Sequence, residues 1–189
     1  MIPRAATVAV ILLAAPAMAS AASFVLGERQ VREAIEVGER SVTRESLGDE
    51  WRVRNAAGNA VTVMTPFHRL AFAARHAAFR HEPMKPRDRD RVLNEARDRL
   101  VFWVELKGPR EDFARFYTAR VQAGERQVEP TFVQNERTAA RGEDGKFVAR
   151  CVYGFPTKVL TGTSRIVLVV RDGDGHDVST FSIDLSSMR

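Results

Sequence analysis

Residues 165–185 read RIVLVVRDGDGHDVSTFSIDL. Inside this stretch, Asp172, Asp174, Asp177 and His176 crowd together and suggest a calcium loop. A helix-loop-helix calcium site needs oxygen ligands at positions 1, 3 and 5, a glycine at 6 and a bidentate glutamate at 12. Counting from Asp172, the two aspartates at positions 1 and 3 fit, whereas His176, Asp177 and Ile183 stand where positions 5, 6 and 12 should be. The flanks also read as strands, Arg165–Arg171 and Asp177–Leu185, not as helices. Gly173 and Gly175 allow the positive φ angles of a tight hairpin turn. The stretch is therefore a hairpin, and weak cation binding by Asp172, Asp174 and Asp177 is the only chemistry left to it.

Working outward from this hairpin, further alternating runs lie between Gly, Pro and Asp turns: Leu100–Leu106, Phe113–Gln122, Gln127–Gln134 and Lys146–Phe155. Six such runs in about 90 residues predict an antiparallel sandwich or barrel. The Phe113 run also reads as the start of a helix. Before residue 99 the periodicity is helical. Val31, Ala34 and Ile35 fall at helical spacing in Glu28–Val37, with Gly38 as a stop. Thr65 and Pro66 form an N-cap and first-turn pair for a helix reaching about Glu82. Pro86 opens a charged helix to Asp98, in which interleaved Arg and Glu read as a solvated face. Between the first two helices, Trp51–Arg54 and Ala60–Met64 alternate around an Asn/Gly loop and suggest a short hairpin. The expected architecture is α+β, with a small helical N-terminal part (22–98) packed on an antiparallel β-sandwich-like C-terminal part (99–189). The string GERQV occurs at Gly27–Val31 and at Gly124–Val128 with unrelated flanks, one copy reading as helix and the other as turn and strand, so it is not a repeat.

Residues 1–21 read as a secretory signal: a positive Arg4, the apolar run Ala5–Ala15, and small residues that fit cleavage after Ala19 or Ala21. The run is well short of the roughly 20 apolar residues a membrane span needs, and no other segment approaches that length. Export to the periplasm or the extracellular space is expected, with no transmembrane span in the mature chain. The formal charge of +5 falls to +4 once Arg4 is removed. Of the 29 basic residues, 25 are Arg, as the codons of a GC-rich genome favour. In an exported protein this balance argues against nucleic acid as partner and points to anionic lipid or glycan. Cys151 is the sole cysteine, which excludes an internal disulfide. It shares a strand face with Phe147, Ala149 and Tyr153, so it reads as a buried apolar side chain.

Tests for catalytic or metal chemistry give no assignment. His68, His76 and His81 on the Pro66 helix stand about 80° and about 140° apart, so they cannot jointly hold one ion. There is no nucleophile elbow, no phosphate loop, and the adjacent carboxylates Glu111/Asp112 and Glu143/Asp144 fall in turns. Arg69, His76 and Arg80 form a basic stripe on one helix face, suited to peripheral contact with an anionic surface. The function expected is that of an exported non-catalytic binding or structural protein with an unknown protein or glycan partner in the envelope, and with no catalytic, cofactor-binding or metal-binding residue. The alternative is a motif-poor hydrolase of an envelope polymer, with its site in the groove between the helical and β parts.

Overall fold

The computed structural model describes residues 22–43 and 47–189, and the expected leader lies outside the described residues. Helix α1 (Glu28–Arg40) starts at the first GERQV copy, where Gln30 Oε1 accepts a hydrogen bond from the Gly27 N–H at 3.0 Å. Gly38 does not stop it. A Cβ at Gly38 would stand 2.2 Å from the Ala71 carbonyl oxygen, so this glycine lets α1 pack directly on the second helix. The chain leaves the helix at Ser41, whose hydroxyl donates to the Gly38 carbonyl at 2.6 Å. Helix α2 (Pro66–Phe79) is capped by Thr65, whose Oγ1 accepts from the His68 N–H at 3.1 Å. It ends before Glu82 because His81 takes a left-handed φ of 56°. Helix α3 spans Pro86–Ala96.

Among the described residues, ten strands follow one another as β1 (Arg52–Arg54), β2 (Ala60–Met64), β3 (Arg99–Gly108), β4 (Thr118–Ala123), β5 (Arg126–Val128), β6 (Phe132–Asn135), β7 (Ala140–Arg141), β8 (Phe147–Pro156), β9 (Arg165–Arg171) and β10 (Asp177–Asp184). They form two antiparallel sheets. The first runs β1-β2-β3-β8-β6, with β7 also on β8; the second runs β10-β9-β4-β5. The hairpin at Asp172–Gly175 joins β9 to β10, with Gly175 at φ 87°.

Two expected strands are corrected. The Gln127–Gln134 run is split between the sheets, β5 in the second and β6 in the first, because Pro130 interrupts it. The Phe113 run becomes extended only at Thr118. Before that, the Arg115 and Tyr117 N–H groups bond to the Asp112 and Ala114 carbonyls at 3.1 Å, and the Phe113 ring sits against Gly108 where no Cβ would fit.

The inward faces of both sheets meet in a single core. Trp51, Val61, Val63, Phe67 and Leu70 belong to the same buried cluster as Phe102, Tyr153, Leu168 and Phe181. Strand β2 pairs with β3 from Ala60↔Glu105 to Met64↔Val101, so the first sheet runs straight across residue 98. The end of the chain is tied into the same layer. The Arg189 carbonyl accepts from Trp51 Nε1 at 2.9 Å and Thr65 Oγ1 at 2.6 Å, while its guanidinium reaches Glu33 and Glu50 and lies 4.9 Å from the Phe67 ring centroid.

Candidate functional site

Side chains alternate along a strand, so the residues of the first sheet that do not enter the core form its outer face. The register lays them out in rows. Arg52, Thr62, Trp103, Val152 and Gln134 form one row; Arg54, Ala60, Glu105 and Arg150 lie to one side; Met64, Val101, Gly154 and Phe132 lie to the other. Trp103 is central and 45% exposed, and Phe132 is 39% exposed. Phe72 of α2 meets the Trp103 ring edge-on at 6.3 Å. Arg99 crosses Gly154 and lies 5.8 Å from the Phe132 ring, a path open only because Gly154 has no side chain.

Two hollows meet at Trp103 and Met64 and together make a groove across this face. One, about 650 Å³, lies between α2, the Leu47–Asp49 turn and strands β1, β2, β3 and β8. The other, about 760 Å³, is bordered by Arg69 of α2, Asn94 and Glu95 of α3, and Phe132. Several charges here are already partnered: Arg52 with Glu105, and Arg69 with Glu95 at 3.0 Å. Arg54 and Arg150 are exposed and pair with no carboxylate among the described residues.

His68 forms the back of the first hollow. The cap at Thr65 sets the first turn of α2 so that the imidazole stacks on Trp51, with centroids 4.2 Å apart and planes within 3°, and its far edge meets Phe72. The residue is 4% exposed, and burial pushes its pKa below the ordinary value, only partly opposed by the Val63 carbonyl and Glu50. Nδ1 lies 3.1 Å from the Val63 carbonyl, an acceptor, so Nδ1 carries the proton and Nε2 is left with a free lone pair. Nε2 faces Gly48, where a Cβ would be 3.8 Å away, and among the described residues it has no hydrogen-bond partner. The hollow thus holds a neutral, rigidly oriented acceptor beside aromatic rings and exposed arginines.

The other residues singled out in the sequence go elsewhere. Asp172 is engaged by its own turn: Oδ1 accepts from the His176 and Asp174 N–H groups at 2.8 and 3.0 Å, which hold its carboxyl below the usual range. Asp177 turns away to Arg120 and Arg171, both at 3.4 Å. Asp172, Asp174 and His176 do bring one ligand atom each within 4.8 Å on the exposed loop. His76 and His81 are exposed, and Arg69 of the basic stripe is held by Glu95. Cys151 is fully buried on the core side of β8, where burial raises its thiol pKa. No motif marks Trp103, although alternation along β3 already puts a large aromatic on the face that should be polar, and the sequence offers His68 only as one of three histidines spaced wrongly for one ion.

No family model and no curated protein matches this chain. Among solved structures, a Burkholderia pseudomallei protein described as a novel protein of unknown function aligns at 8% identity and a TM-score of 0.42, over 86% of this chain and 92% of its own. Among the described residues, no helix is long and apolar enough to cross a membrane.

Proposed function

We propose that the protein is exported and acts as a non-catalytic binding protein of the cell envelope or extracellular space, holding its ligand in the groove over Trp103. The supporting observation is the position of Trp103, 45% exposed at the centre of a sheet face and flanked by Phe72 and Phe132. A solvated sheet face normally carries polar side chains, and exposed aromatics with apolar bodies and flanking arginines are what recognition surfaces use. A photoreactive residue in place of Gln134, beside the groove, should give a discrete adduct in intact cells that disappears with Trp103→Ala. The same residue in place of Ser182, on the far sheet, should give none. An identical adduct pattern from both positions would overturn the reading.

The hydrolase alternative has one observation in its favour: His68 Nε2 is a free base in a hollow that Asp49 and Glu105 also line. It requires release of fragments from envelope polymers by the purified protein, lost in His68→Asn.

A further inference from the structure

The hollow in front of His68 has a composition that specifies more than an apolar slot. Its polar side chains differ in kind over a short span: the His68 Nε2 acceptor, the Thr62 hydroxyl, the Asp49 and Glu105 carboxylates, and the Arg54 and Arg150 donors. Its apolar groups are flat, Trp103 and Phe72 set at 84° to one another, so that they offer a face and an edge. The lining carries three arginines against two carboxylates, an excess of one positive charge, and with Arg52 held by Glu105 the arginines left are Arg54 and Arg150, against Asp49. From this set we propose that the hollow is a subsite for an acidic pyranose, a sugar ring bearing a carboxylate. The apolar face of the ring would lie on Trp103, a ring hydroxyl would donate to His68 Nε2, and the carboxylate would pair with Arg150, on the strand next to that of Trp103. This deepens the binding role proposed above and rests on it.

An extended peptide fits less well. Peptides that bind sheets usually do so at an edge, where main-chain groups are unpaired, with side-chain pockets adding specificity. This groove crosses the side-chain face, where β2, β3 and β8 already pair with neighbours on both sides. A sugar has no main chain to satisfy and makes its contacts through alternating hydroxyls and an apolar face, as the lining offers.

The test is calorimetric titration of the full mature chain with hexuronate oligosaccharides of several linkages, with their carboxyl-reduced neutral counterparts, and with poly-glutamate. Uronates should bind, and reduction should weaken binding about tenfold, as expected when a charge-assisted hydrogen bond is lost. Arg150→Gln should weaken uronate binding by a similar factor and leave the neutral sugars unchanged. His68→Asn keeps an amide donor for the Val63 carbonyl but has no Nε2; it should weaken charged and neutral sugars alike. Trp103→Ala should abolish all of these. Since Arg150 and Trp103 face solvent, an unchanged melting temperature will show that their variants are folded. Failure of every saccharide to bind overturns the inference, as does binding of poly-glutamate in preference. In either case the photo-adduct at Gln134 still decides separately whether the groove binds anything.

Discussion

His68 is the residue in which packing and chemistry are most closely joined. Above pH 6.5 the imidazole is neutral in both the folded and the unfolded chain, so burial is not opposed by ionisation. Between 6.5 and the lowered folded value, the unfolded chain binds a proton that the folded chain does not, and stability must fall as the pH drops through that window. The melting temperature should therefore decline from pH 7.5 to 5.5, and His68→Asn should flatten that part of the profile. Tyr153 presents a different case. It is fully buried, and its hydroxyl has no hydrogen-bond partner among the described residues. Removing an unsatisfied buried hydroxyl recovers its desolvation cost, so Tyr153→Phe should leave stability unchanged or raise it by about 1 kcal/mol in urea denaturation. A clear loss would mean that the hydroxyl has a partner. Its strand neighbour Cys151 should resist thiol reagents in the native protein and react only as the chain unfolds, because both burial and a raised pKa withhold the thiolate.

Among the elements, the contact between α1 and α2 shows how a local rule is reversed by its neighbour. Gly38 lies inside α1, where helix propensity alone favours alanine by about 1 kcal/mol. Its missing Cβ is filled by the backbone of Ala71, so Gly38→Ala should instead destabilise the protein by about 1–3 kcal/mol, read as a lower urea midpoint. A higher midpoint would show that the helices can move apart freely. The β9–β10 hairpin behaves in the opposite way. Its turn closes through hydrogen bonds of Asp172, Arg171 and Gly175, all within the hairpin, and this is why it is legible from a short stretch of sequence. Strands β5 and β6 read as one run in the sequence, but Pro130 breaks it and the two halves join different sheets.

For the whole molecule, the shift from helical to alternating periodicity near residue 98 does not mark a division between cores. The β1–β2 hairpin pairs with β3, and buried side chains from both sides of that point pack together. Thermal unfolding should accordingly give one cooperative transition, and a fragment of residues 99–189 should fail to fold, since it would expose the β3 edge and the core that Val61, Val63 and Trp51 cover. Two separated transitions, or a folded fragment, would refute this. By itself the sequence determined the α+β class, the positions of the helices, the best-marked hairpin and the inward set of β8, because caps, turns and alternation act over a few residues. It did not determine the groove. Trp103, Glu105, Arg150, His68 and Phe72 come from β3, β8 and α2, and only the pairing register and the packing of α2 on the sheet bring them to one face. The reason is physical: local spacing fixes which way a side chain points along its own element, whereas long-range pairing and burial decide what it faces.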